Sequence, residues 1–202
     1  MSTPRTIAAV LLAAGASSRM GSPKALLEFQ GETLLDRQIG LYAERCRPVV
    51  CVLGFDAGRV AAGLRRAGDA VLVLNPRPER GQLSSLQCGL RALPPCDALF
   101  FLPADSPGVR PDTLERLLAA WSEAAEAPAF VIPQCRGRHG HPVLMSGAQI
   151  PAMLALPEGA PARDLVHARK AETLYVEVDD ARIRIDLDTP ADFEALLKEV
   201  QP

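Results

Sequence analysis

Ile7-Ala8-Ala9-Val10-Leu11-Leu12 runs directly into Ala13-Ala14-Gly15-Ala16-Ser17-Ser18-Arg19-Met20-Gly21-Ser22-Pro23-Lys24, and this junction decides the fold. The first six residues are short, continuous and apolar, and a glycine follows soon after; such a run reads as a strand buried on both faces. The next stretch is polar and rich in small residues, so its backbone can come close to a ligand. Its free N–H groups can cradle an anion. Arg19 and Lys24 add two cations at fixed places, a combination that suits the phosphates of a nucleoside triphosphate. The alternative is a plain surface loop whose Arg and Lys are solvated.

Two common phosphate loops are excluded. A Walker A loop needs Gly-Lys-Ser/Thr in succession, whereas Gly21 is followed by Ser22-Pro23-Lys24. The dinucleotide fingerprint needs G-x-G-x-x-G, and Ser17 stands two places after Gly15.

Outward from the loop, strand and helix patterns alternate. Thr33 opens a helix in which Leu35, Ile39, Tyr42 and Cys46 share one face. Val49–Leu53 and Val71–Leu74 read as strands, with a helical stretch from Asp56 to Arg66 between them. Ala98-Leu99-Phe100-Phe101-Leu102 is the most apolar strand of the chain. Leu114, Leu117, Leu118 and Trp121 mark the buried side of a helix over 111–125. Phe130–Pro133 and Leu174–Val178 read as further strands, and Gly137–Met145 as a hairpin-like turn into another. Two short helices are expected between Ser146 and Lys170, broken at Pro157–Pro161. This alternation predicts a parallel sheet with right-handed crossovers.

Several polar residues fall where such sheets bind ligands. Asp105 stands just past the end of the most apolar strand, the usual ligand side of an open α/β sheet; Asp is also a favoured turn residue before Ser-Pro. Ser84 and Ser85 open a helix, either as caps or as ligand contacts. Arg163 begins another helix and faces either an anionic acceptor or solvent. His139 and His141 make a weak metal pair, since two His alone do not define a site. In Ile183–Asp188 apolar and charged residues alternate, which predicts a strand with Arg184, Asp186 and Asp188 on one face and the two Asp roughly 6–7 Å apart. Thr189-Pro190-Ala191-Asp192 starts a final amphipathic helix.

Composition sets the bounds. The 202 residues fit one domain, 1–202, with a full core. A net charge of −2 gives no basic surface for nucleic acid or an anionic membrane. No apolar run reaches the ~18–20 residues that span a bilayer. Five Cys without a C-x-x-C pair are expected to be reduced, in a cytoplasmic protein.

Leu12 to Lys24 resembles the signature L-A-A-G-x-S-x-R-M-G-x-x-K of the MobA-like nucleotidyltransferases, and among them most resembles the molybdenum cofactor cytidylyltransferases. The resemblance implies a Rossmann-like three-layer α/β/α sandwich with a mostly parallel sheet, of the nucleotide-diphospho-sugar transferase type. It implies transfer of CMP from CTP onto the phosphate of molybdopterin or molybdenum cofactor, releasing pyrophosphate, with Mg²⁺ as cofactor. Leu12, Ala13, Ala14, Gly15, Arg19 and Lys24 then meet the nucleotide, and Arg19, Lys24 and Asp105 are catalytic. Asn75, Gly81, Ser84 and Ser85, in the pattern N-P…G-x-x-x-S-L, border base or ribose. Asp105, in the D-x-P turn, binds the metal; Ser106 stands where the family often has Met or Gln. The closing D-x-D-T-P-x-D-F run makes Asp188 the second ligand, or Asp186 in its place. Gly140-His141-Pro142 matches the molybdopterin branch, which makes His141, with Arg163 and Asp186, a candidate for the acceptor. Ala13-Ala14-Gly15 leans away from the guanylyl branch, which reads L-A-G-G and uses GTP. The other rival is a non-catalytic protein that delivers cofactor to a molybdoenzyme or its chaperone.

Overall fold

The computed structural model describes residues 5–18 and 20–199. In chain order it holds β1 (Ile7–Ala13), a small hairpin β2 (Glu28–Phe29) and β3 (Glu32–Thr33), α1 (Leu34–Ala43), β4 (Val49–Leu53), α2 (Ala57–Gly63) and β5 (Val71–Leu74). Next come α3 (Gln82–Ala92), β6 (Ala98–Pro103), α4 (Pro111–Glu123), β7 (Phe130–Cys135), β8 (Arg138–His139) and β9 (Val143–Ser146). Last are α5 (Ile150–Leu154), α6 (Arg163–Ala168), β10 (Thr173–Glu177) and α7 (Pro190–Glu199).

One sheet runs in the order β10-β7-β9-β6-β1-β4-β5, with β8 pairing to β7. The β1–β4, β1–β6, β4–β5 and β7–β10 pairs are parallel, and β9 runs antiparallel to both β6 and β7. The architecture is the expected α/β one. The chain steps from β1 out to β4 and β5, then returns to lay β6 on the other side of β1. Strand order therefore reverses between β1 and β6, and such a switch opens a crevice at the carboxyl ends of the strands.

The central strands are apolar on both faces because helices cover both. Ala9, Leu11 and Cys51 pack with Leu35, Ile39 and Tyr42 of α1 and with Leu114, Leu117 and Trp121 of α4. Ala8, Val10 and Val52 face the opposite layer, with Leu83, Leu86 and Leu90 of α3, Met153 of α5 and Leu165 of α6. Burial at roughly 25 cal/mol per Å² of apolar surface makes these two layers the main stabilising contribution. The final helix covers a third, smaller cluster in which Leu196 meets Phe29, Leu34 and Leu187.

Two local readings are corrected. Ile183–Asp188 is not a strand: Ala181–Arg184 forms a 3₁₀ turn, and no ladder follows it. The Asp180 carboxylate accepts from the Arg182 N–H and turns the chain there. Beyond it the segment lies across the strand ends on single backbone bonds, from the His141 N–H to the Ile183 carbonyl and from the Leu187 N–H to the Asp105 carbonyl. Ile183 and Leu187 are buried, so the alternation reported burial but not pairing. Nor do Ser84 and Ser85 cap α3; it begins at Gln82 behind Gly81, whose φ of +88° suits glycine.

Candidate active site

The loop after β1 folds back on itself. Ser17, at a φ of +48°, accepts the Met20 N–H at its carbonyl and the Lys24 N–H at its hydroxyl, 2.9 Å each. This returns Lys24 to the end of β1. Its ammonium lies 3.2 Å from Oδ2 of Asp105 and 2.8 Å from Oδ1 of Asp188. Three residues spread over most of the chain thus meet at one point. Arg19 lies outside the described residues.

Asp105 is placed by the loop that leaves β6. The Ala104 N–H donates to the Leu12 carbonyl at 2.9 Å, and the Gln38 amide of α1 donates to the Ser106 carbonyl at 2.5 Å. Gln38 and Ser106 are buried. Gln38 escaped the sequence reading; its one signal is an amide inside an otherwise apolar helix face, where a polar group needs a partner. Asp188 sits at the end of the strap described above, and its N–H and that of Thr189 donate to the Asp192 carboxylate.

Charge organises the cluster. Burial lowers the affinity of the Lys24 ammonium for its proton, but hydrogen bonds and charge from Asp188 and Asp105 outweigh this and hold it above its ordinary range. Desolvation, then the nearby Asp105 and Asp188 charges, raise Asp186, so it belongs to the same electrostatic cluster. Burial keeps His141 below the usual imidazole range against the pull of Asp105.

Lys24, Asp105 and Asp188 line a cavity of about 440 Å³. Leu12 to Ser18 line it too, as do Gly81 and Ser85. An added Cβ on Gly15 would meet nothing within 4 Å among the described residues. Ala14 is buried, and its methyl group presses on Gly54, whose own Cβ would come within 2.8 Å of it. Asn75 and Ser84 do not line it. The Asn75 amide donates to both Ser84 and Ser85 and its oxygen accepts the Arg77 N–H, so this side chain is spent on holding the 75–81 loop to α3. Asp186, His141 and the exposed Arg163 do not line the cavity. Phe55, Pro78 and Glu79 do line it and were not singled out. Phe55 and Gly54 directly follow β4, at the ligand-binding end of a strand neighbouring β1, and that placement was the available signal.

A divalent metal fits these donors. Among the described residues Oδ1 of Asp105 is buried without a hydrogen-bond partner, an unusual and costly state for a carboxylate oxygen. Among the described residues no group of three or more His, Cys, Asp or Glu side chains gathers to hold a metal. Two carboxylates are nevertheless what Mg²⁺ ordinarily takes from a protein, since it relies on water and substrate phosphates for the rest.

A site of this construction, at the switch point of a mostly parallel sheet, is that of a nucleotidyltransferase. The chain belongs to the MobA-like NTP transferase family, whose domain matches residues 9–173. It is 26% identical to the molybdenum cofactor cytidylyltransferase of Escherichia coli K12 over 91% of its own length and 92% of that protein. It is 30% identical to the nicotine blue oxidoreductase of Paenarthrobacter nicotinovorans, covering 95% and 96% of the two chains. Among solved structures it resembles Rv0371c of Mycobacterium tuberculosis H37Rv, 26% identical with a TM-score of 0.82, covering 97% and 100% of the chains. A further crystal structure of Rv0371c is a complex with manganese.

Proposed function

We propose that this nucleotidyltransferase moves CMP from CTP onto the terminal phosphate of molybdopterin or molybdenum cofactor, releasing pyrophosphate, with Mg²⁺ held by Asp105 and Asp188. The observation that carries the reading is the ammonium of Lys24 set between two carboxylates beside a phosphate loop. The acceptor phosphate is already an ionised nucleophile, so the protein needs no general base. Its work is to align the acceptor for in-line attack at the α-phosphate and to meet the charge that develops on the leaving group. The N–H groups of Ala13 to Gly15 cradle the phosphates, and Arg19 and Lys24 neutralise them. Mg²⁺ supplies Lewis-acid stabilisation of the same oxygens. Gly81 and Ser85 border the nucleoside, with Asn75 and Ser84 holding them in place. His141, Asp186 and Arg163 serve the acceptor side.

Cytidine is favoured over guanosine by Ala14, since the guanylyl branch carries glycine there. The methyl group acts through Gly54, against which it packs, by setting how far the β4 end stands from the phosphate loop. A role confined to delivering cofactor to a molybdoenzyme or its chaperone leaves the two carboxylates and Lys24 without work. The test incubates purified protein and Mg²⁺ with molybdopterin and each of the four nucleoside triphosphates, and follows pyrophosphate release. Release with CTP above all others is expected. Equal or faster turnover with GTP overturns the base assignment, and no release with any of them overturns nucleotidyl transfer to this acceptor.

A further inference from the structure

The cavity is lined by one exposed aromatic side chain that the phosphate loop and the carboxylates do not explain. Phe55 is 40% exposed. The other large apolar side chains with comparable exposure among the described residues, Val71, Leu74, Leu174 and Tyr175, lie on the edge strands β5 and β10. Phe55 is different, because it opens into the cavity. A phenyl ring left open to water at a concave site forgoes the stabilisation of burial unless a ligand covers it.

The backbone around it is tightly set. The Phe55 N–H donates to the Ala14 carbonyl at 3.3 Å, tying the ring's own residue to the phosphate loop. Gly54 has no room for a side chain: its Cβ would lie 2.7 Å from Cβ of Pro78 and 2.8 Å from both Cβ and the carbonyl oxygen of Ala14. The ends of β1 and β4 and the 75–81 loop therefore close on one another at Gly54, the residue before Phe55. Any residue larger than glycine at 54 would push Phe55 away from the loop.

Position across the sheet then assigns the ring's role. Asp105 follows β6 and Phe55 follows β4, with β1 between them. Two strand spacings separate them, about 10 Å. The cavity thus has charge for phosphates and metal at one end and a flat apolar surface at the other. Phosphate gains nothing from a phenyl face, whereas a nucleobase does.

We propose that Phe55 is the platform on which the base of the donor nucleoside triphosphate stacks, with Pro78, which lines the same cavity, adding apolar surface. The inference rests on nucleotidyl transfer at this site and adds the residue that grips the base. Stacking tolerates every base, since each has a π-face. Phe55 accordingly supplies affinity for all four triphosphates and leaves discrimination to the rest of the pocket, the Ala14 contact included.

The test measures binding by calorimetry with Mg²⁺ and three probes, CTP, GTP and inorganic tripolyphosphate, in the wild type, Phe55→Ala and Phe55→Trp. Because Phe55 is partly exposed, both variants are expected to fold, and thermal melts check this. Phe55→Ala should weaken CTP and GTP about ten- to a hundredfold and leave tripolyphosphate affinity as in the wild type. Phe55→Trp should restore nucleotide binding. In turnover, Phe55→Ala should raise the KM for nucleotide far more than it lowers kcat. Unaltered nucleotide affinity in Phe55→Ala overturns the platform, as does an equal loss for nucleotide and tripolyphosphate, which would make the residue a support of the loop. A wild-type protein that binds tripolyphosphate but no nucleotide better overturns it as well. A wild type that binds none of the three overturns nucleotidyl transfer at this site and the platform with it.

Discussion

The two carboxylates that meet Lys24 are held in opposite ways. Asp105 follows a central strand, its side chain 28% exposed, and the loop around it is tied to β1 by the Ala104–Leu12 bond and to α1 by Gln38. Asp188 is 50% exposed and sits on a strap that belongs to no strand. The strap is tied to the first carboxylate, because the Leu187 N–H donates to the carbonyl of Asp105, and it is held besides by the His141 N–H at Ile183 and by Asp192. One carboxylate is thus fixed by the sheet, and the second by a strap that leans in part on the first. The core builds half of the site, and the C-terminal segment completes it.

This difference is broken most severely at Asp105. Asp105→Asn should lower kcat/KM by about 10³, or ~4 kcal/mol of transition-state stabilisation, while the melting temperature stays close to that of the wild type. Asp188→Asn should lose only about ten- to a hundredfold, since solvent reaches its position and water can replace a ligand oxygen there. Added Mg²⁺ should recover much of the Asp188→Asn activity and little of the Asp105→Asn activity. Steady-state pyrophosphate release over a metal titration measures both. If the two variants respond alike, the carboxylates are equivalent and the contrast is lost.

The same contrast marks what could be read in the sequence. The junction at Leu12 to Lys24 located the loop, and the apolar run Ala98–Leu102 located Asp105, because a buried parallel strand writes itself as continuous hydrophobicity. Leu35, Ile39 and Tyr42 lie in the core on α1 as their spacing required, whereas Cys46, also buried, follows the end of that helix. Ile183 to Asp188 misled, because period two records which side chains are buried and not whether a neighbouring strand exists to pair with. Phe55 escaped notice for a related reason. A lone aromatic after a glycine carries no periodic signal, and its meaning comes only from the loop that β1 brings beside it. Asn75 resembled a ligand contact, yet its amide is engaged by the chain's own serines and backbone.

A smaller effect tests how the strap is seated. Leu187 is fully buried against Phe29, Leu34 and Leu196. Leu187→Ala should cost about 2–5 kcal/mol of stability, from lost burial and the cavity left behind, and thermal or urea unfolding reads this directly. Well below the melting temperature, the folded variant should also bind metal more weakly, in the manner of Asp188→Asn, because the anchor of the strap is loosened. Normal metal dependence in a destabilised Leu187→Ala protein would show that Asp188 is positioned by α7 instead.

The smallest expected effect lies in the link between the two carboxylates. Lys24→Met keeps a side chain of similar length but leaves Asp105 and Asp188 without their shared counter-charge. The cluster is partly open to solvent, so the wild type should exceed this variant by only about 1 kcal/mol near neutral pH. The sign of the pH dependence follows from the raised Lys24 value. In the unfolded chain the lysine titrates near its ordinary value of 10.5, whereas in the folded chain it keeps its proton to higher pH. The stabilisation is therefore fully present below 10.5 and is lost as pH rises through the folded value. Denaturant unfolding of both proteins from pH 7 to pH 11.5 should give a constant difference that begins to close only above about pH 10.5. A difference that closes well below that pH would mean that Lys24 is not the group bridging the rigid carboxylate and the strap.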